Sequence, residues 1–196
     1  GWSTMHKRFG NKEFHTLFES AIDYAVNGFP VTELIAYYLE GSAENFQNFP
    51  NFKSVWMPNG TIPKKGDIFR NPHLANTYQS IANSYGESFY KGEIAEEIVK
   101  SLKSQGGAMQ MSDLINYAPE WVEPVSTNYR GFDVWELPPN GQGIAALQIL
   151  NILENFDISS MTLDSTEYIH LFTEAKKLAY EDRAKFYADP KFADIP

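Results

Sequence analysis

The residues able to do chemistry are scattered along this chain, and few of them stand in a spacing that chemistry requires. The four histidines are His6, His15, His73 and His170. None has a metal-ligand partner at helical or loop spacing, and no run of Asp and Glu reproduces a calcium loop. His170 falls beside the apolar face of a helix, where a hydrogen-bonded packing role is expected. There is no cysteine, which excludes disulfides, thiolate catalysis and cysteine zinc sites. A Gly-x-Ser-x-Gly elbow is missing, so a hydrolase of that type has no nucleophile here. The carboxylates Glu174, Glu181, Asp182, Asp189 and Asp194 gather late in the chain. Paired carboxylates can do acid–base work, but this spacing reads as a solvated helix face, with Asp182 and Arg183 as an ion pair near its end. Asn140-Gly141-Gln142-Gly143 lies between a strand and a helix, where backbone N–H groups attract anions. It lacks the third glycine of a dinucleotide fingerprint and the Lys-Ser/Thr of a P-loop. Pro138 and Pro139 precede it, so a strand stop followed by a helix start is the plainer reading. No catalytic, substrate-binding or metal residue is assigned within the chain, and no cofactor is implied.

The elements that must position these residues centre on the stretch from Tyr129 to Phe156. Phe132, Val134 and Trp135 favour a strand, and the prolines end it. Ile144, Ala145, Ala146, Leu147, Ile149, Leu150, Ile152 and Leu153 then form a helix apolar on every face, as expected of a buried element on which other segments pack. Before it, Pro124 to Tyr129 pairs with Phe132 to Leu137 through an Arg130-Gly131 turn. After it, a helix from about Ser165 to Tyr187 is predicted to bury Tyr168, Leu171, Phe172, Ala175, Leu178, Ala179 and Phe186.

Earlier in the chain, Phe14, Leu17, Phe18, Ala21, Ile22 and Ala25 share one helical face. Gly28 supplies a left-handed cap and Pro30 blocks continuation. Thr32 caps a second helix burying Leu34, Ile35, Tyr38 and Leu39 and stopping near Gly41. The short connection predicts a helical hairpin. Residues 45–67 read as irregular, with a turn at Pro58-Asn59-Gly60 that outweighs the glycosylation sequon Asn59-Gly60-Thr61. Asn71-Pro72 starts a helix carrying Leu74, Tyr78, Ile81, Ala82 and Tyr85. Another carries Ile94, Ala95, Ile98, Val99 and Leu102, and Ser112 is expected to cap a short turn. The fold class is mainly α with a small β-hairpin (α+β), as a single segment over residues 1–196.

Composition narrows the partners. At 43% hydrophobic and 15% aromatic residues, the chain can build a real core and lacks the disorder signature. A net charge of −9 repels phosphate backbones, so no nucleic acid is expected. No apolar run reaches the roughly 18 residues that cross a bilayer. No signal peptide pattern opens the chain. Localisation stays open: cytoplasmic, or periplasmic or secreted if a signal peptide precedes Gly1.

Several longer stretches carry a resemblance. They are Gly1-Trp2-Ser3 with Arg8-Phe9-Gly10, then residues 66–75, 89–99, 106–125, 129–143, 147–157 and 179–192. In order and over nearly the whole chain, they resemble the later part of the large subunit of gamma-glutamyltransferases (gamma-glutamyltranspeptidases, or glutathione hydrolases). The resemblance implies the helical portion of an Ntn-hydrolase fold, made as a zymogen that cuts itself into a large and a small subunit. The nucleophile is then a threonine exposed as the first residue of the small subunit, whose own amino group serves as base. The reaction implied is gamma-glutamyl transfer or hydrolysis on glutathione-like amides, part of glutathione metabolism.

The departures set what is expected of this chain. Residue 1 is Gly, and Thr4, Thr16, Thr32, Thr61, Thr77, Thr127, Thr162, Thr166 and Thr173 are internal. None lies in the family's nucleophile motif, which would come after Pro196. The family's carboxylate-gripping arginine belongs before Gly1 and is not carried to Arg8, Arg70, Arg130 or Arg183. The chain alone is therefore expected to be inactive. Many members have Ser-Ser-Gly-Gly after the prolines, and Asn140-Gly141-Gln142-Gly143 is closer to glutathione-hydrolase-like and acylase-like branches. The expected partners are a small gamma-glutamyl or other amide substrate and the small catalytic subunit. Self-association is expected through the Phe132–Trp135 edge. Two alternatives stand beside this: an amidohydrolase or acylase acting on another small amide, and a non-catalytic helical binding or structural module.

Overall fold

The computed structural model describes residues 1–195, which form ten α-helices and two antiparallel two-stranded sheets. They divide into two compact units, residues 1–119 and 120–195.

In the first unit, α1 (Trp2–Phe9) is followed by a 3₁₀ turn, Phe14–Phe18, and α2 (Glu19–Asn27). The predicted amphipathic helix is thus broken at Phe18. Phe14 and Phe18 are buried with Ala82, and Ile22, Tyr78, Ile81 and Tyr85 pack around them. This unit therefore has its own core. Gly28 ends α2 at φ 89° and its N–H reaches Tyr24 O. The chain then enters β1 (Phe29–Pro30), paired with β2 (Ile68–Phe69) in the register Phe29↔Phe69 and Pro30↔Ile68. Instead of the helical hairpin expected, α2 packs chiefly on α5 (Pro72–Asn83).

Thr32 does cap α3 (Glu33–Phe46), accepting from Ile35 N. That helix runs past Gly41 and buries nothing: Leu34, Ile35 and Tyr38 are exposed, as is Tyr37 at 71%. The stretch expected to be irregular holds α4 (Phe52–Trp56), whose Trp56 stacks on Phe69 at 5.4 Å between ring centroids. The Met57–Gly60 turn closes through Gly60 N–H to Met57 O. Asn71 caps α5 through its side chain, accepting from Leu74 N at 3.0 Å, with Pro72 in the first turn. Then follow α6 (Glu87–Lys91), α7 (Glu93–Ser104) and α8 (Met111–Ile115). The cap of α8 is Gln110 rather than Ser112. Gln110 and Asp113 exchange bonds in a capping box, with Gln110 N donating to Asp113 at 2.8 Å.

In the second unit, β3 (Val125–Tyr129) and β4 (Phe132–Glu136) form the predicted hairpin. Arg130 and Gly131 both take positive φ, 53° and 88°, which is the turn whose twist matches paired strands. α9 (Gly143–Leu153) packs on both strands and on α10 (Thr166–Phe186). Within this unit α9 is the central element. Ser165 caps α10, accepting from Tyr168 N at 3.2 Å. α10 buries only Ala175 and Ala179, with Tyr168, Leu171 and Phe186 half-buried. Phe172 and Leu178, placed by sequence on the buried face, are exposed. Small buried residues on α10, with Ala145 buried on α9, let the two backbones approach closely.

Candidate functional site

The loop from Asn140 to Gly143 sits where β4 hands over to α9. Gly143 is required by contact: a Cβ there would lie 2.8 Å from Glu136 Cβ and 3.0 Å from Leu137 O. The same position would lie 2.8 Å from Glu136 Oε2. The Glu136 side chain therefore lies beside Gly143 at the start of α9. The loop is a strand-to-helix junction.

The late carboxylates do not converge. Asp182 is half-buried and accepts a hydrogen bond from Gln148 Nε2 at 2.9 Å, while Tyr187 Oη donates to Gln148 Oε1 at 2.8 Å. A carboxylate can only accept, which fixes the amide's orientation. Arg183, expected to pair with Asp182, instead lies over the Tyr180 ring at 5.4 Å. Burial of the Tyr187 phenol, and the Asp182 charge beside it, push its pKa above the ordinary value near 10.0. The sign follows directly: Tyr187 holds its proton more tightly folded than unfolded, so its contribution is present below pH 10 and lost as pH climbs through the raised value. We predict that Tyr187→Phe flattens the alkaline fall in Tm above pH 10, read by thermal melts of both proteins from pH 8 upward. An unchanged alkaline fall in the variant would contradict this.

His170 is exposed rather than packed, and it acts with Lys177 on Glu174. The hydrogen bond from Lys177 chiefly holds Glu174 below the usual carboxylate range, with a smaller Coulombic contribution from His170. His6, which sequence singled out only by type, has the most defined surroundings. A carbonyl only accepts, so its Nε2–H donates to Lys12 O at 2.7 Å. In the neutral ring Nδ1 then accepts from Tyr85 Oη at 2.5 Å. Both nitrogens are occupied, and the ring packs against Phe14 with centroids 5.2 Å apart. The groove beside it, about 570 Å³, is lined by apolar Trp2, Met5, Phe9 and Leu17 and gathers no set of polar groups.

Four threonine hydroxyls are held in hydrogen bonds. Thr16 donates to Glu13 O, Thr77 to His73 O and Thr127 to Asn151 Oδ1, while Thr32 caps α3. Arg130 donates through its backbone N–H to Glu154 and through its guanidinium to Phe156 O. It thereby ties the hairpin turn to the C-terminal end of α9, where a cation is favoured. Among the described residues no three His, Cys, Asp or Glu side chains gather as a metal site, and no helix is long and apolar enough to cross a membrane.

The chain is thus a packed helical scaffold with one hairpin, matching the helical portion of an Ntn-hydrolase fold. It superimposes on a cephalosporin acylase from Bacillus halodurans with a TM-score of 0.92 at 37% identity, covering 100% of this chain and 37% of that one. A gamma-glutamyltranspeptidase from Helicobacter pylori gives a TM-score of 0.92 at 32% identity, covering 100% of this chain and 57% of that one. The pattern of the family described as Gamma-glutamyltranspeptidase matches residues 1–196, and the chain belongs to that family. Among curated relatives, the glutathione hydrolase-like YwrD proenzyme of Bacillus subtilis is 37% identical over 195 residues, which are 100% of this chain and 37% of the relative. The glutathione hydrolase proenzyme of Escherichia coli is 34% identical over 198 residues, 100% of this chain and 34% of the relative. The chain spans about a third of the length of these curated relatives.

Proposed function

We propose that this chain is the scaffold part of the large subunit of an autoprocessed enzyme that hydrolyses or transfers the acyl group of a small amide. The gamma-glutamyl group of a glutathione-like donor is the first candidate. Attack on the amide carbonyl comes from a threonine supplied outside these residues, activated by its own freed amino group. The observation that carries this reading is the match from end to end, at a TM-score of 0.92, to both an acylase and a gamma-glutamyltranspeptidase. The hydroxyls of Thr16, Thr32, Thr77 and Thr127 are tied into hydrogen bonds. Scaffold residues that face other parts of a protein leave apolar side chains uncovered, and Phe132 and Trp135 are exposed here. They are the surface through which this chain by itself associates.

The test is an assay of the complete open reading frame beside the 196-residue chain, with a chromogenic gamma-glutamyl anilide and a denaturing gel. Two bands and amide turnover are expected for the complete product, and neither for the chain alone. Self-cleavage without gamma-glutamyl turnover would move the substrate to another acyl amide, as the likeness to an acylase allows. Neither cleavage nor turnover of any amide would overturn the reading in favour of a non-catalytic helical module.

A further inference from the structure

α10 stops at Tyr187, whose N–H makes the last helical bond, to Arg183 O, and whose φ −83° and ψ 111° turn the chain into extended backbone. Beyond that residue the links are local or exposed. Asp189 Oδ1 accepts from Lys191 N at 2.9 Å, and Asp189 O accepts from Phe192 N and Ala193 N at 2.9 and 3.0 Å. The Lys191 ammonium pairs with the Glu120 carboxylate, an exposed ion pair of the kind that holds little. The Tyr187 phenol links the end of α10 to α9. The residue is half-buried, and its hydroxyl donates to Gln148 Oε1 on α9. The other end of the same amide holds Asp182, one and a half turns back on α10. A single side chain that donates to the helix and accepts from its first non-helical residue fixes both sides of the bend.

We infer that Gln148 is a positioning residue for self-cleavage: through Asp182 and Tyr187 it sets the direction in which the chain leaves α10. This rests on the proposed function above, in which the precursor is cut downstream of this scaffold. Direction matters because error grows along the chain. A rotation of about 10° at Tyr187 displaces a point about 20 Å further on by roughly 3.5 Å, as large as the separation reacting atoms must hold. The amide is needed for its two opposite ends. A carboxylate in its place still accepts from Tyr187 but repels Asp182.

The complete gene product tests this with four proteins: wild type, Gln148→Glu, Gln148→Glu with Asp182→Asn, and Tyr187→Phe. Loss of the intact precursor is followed with time on a gel, and amide turnover is measured per cleaved molecule. Gln148→Glu should slow cleavage about tenfold, and Tyr187→Phe several-fold. The double variant restores the pairing with donor and acceptor exchanged, so it should return to within about threefold of wild type. Turnover per cleaved molecule should stay level throughout, which a general loss of fold would not allow. Cleavage of Gln148→Glu at the wild-type rate, no rescue in the double variant, or turnover falling in step with cleavage would each overturn the inference. A wild-type protein that never cleaves would instead overturn the functional reading, and this inference with it.

Discussion

Truncating Leu147 to alanine is expected to destabilise the second unit by about 2–5 kcal/mol, the range for a buried leucine that leaves a cavity behind. Leu147 is 6% exposed on α9, the helix that packs on both hairpin strands and on α10. A small unit of this kind holds only about 5–15 kcal/mol in total, so the loss is a large share of it. Urea unfolding followed by far-UV circular dichroism should show a lower midpoint at an unchanged slope. The companion variant is Leu178→Ala. Leu178 is 63% exposed on α10, and its truncation should stay within about 0.5 kcal/mol. Equal effects from the two would mean that α9 is not the centre of this core.

Gly28→Ala is expected to be comparably damaging through the backbone alone. Gly28 holds φ 89° and ψ 169°, a region essentially closed to residues with a Cβ and costing about 1–3 kcal/mol to occupy. A Cβ there would also lie 2.9 Å from Phe69 O and 2.5 Å from Ile68 Cγ2. It would therefore collide with the very strand, β2, that pairs with β1. The first unit has to give up either the cap of α2 or the β1–β2 pairing. Amide exchange should separate the two: faster exchange at Val31, whose N–H donates to Asp67 O, reports lost pairing. A melting temperature equal to wild type would refute the argument.

What was legible in the sequence is the chemistry that depends on near neighbours. The caps at Thr32, Asn71 and Ser165, the left-handed Gly28, the Arg130-Gly131 turn and the Pro138-Pro139 stop all lie where the residues predict, because each requires only a few consecutive side chains. The capping box at α8 shows the limit of that logic. Ser112 is an ordinary cap by type, but Gln110 and Asp113 satisfy two N–H groups together and win. Burial was less legible. Spacing tells which residues share a face but not whether anything covers it, so Leu34, Ile35 and Tyr38 form a proper stripe on α3 and remain exposed. On α10 the buried positions went to Ala175 and Ala179, since close helix approach selects small residues over the larger Leu178 and Phe172. The polar link of Gln148 to Asp182 joins residues 34 apart, and no local pattern announces it. Family membership was legible in stretches spread over nearly the whole chain, and the family's pattern matches residues 1–196.

The hairpin, α9 and α10 follow one another in the chain; α9 packs on the hairpin and α10 packs on α9. The links among them close short spans, such as 24 residues from Thr127 to Asn151 and 39 from Gln148 to Tyr187. Loop-closure entropy rises by only about 0.6 kcal/mol for each doubling of span, and low contact order favours fast folding. This unit is therefore suited to assembling in the order of its synthesis. The turn at Arg130 has its partners, Glu154 and Phe156, once α9 and the residues just after it are made, and the surface that α10 packs on is complete before α10 is.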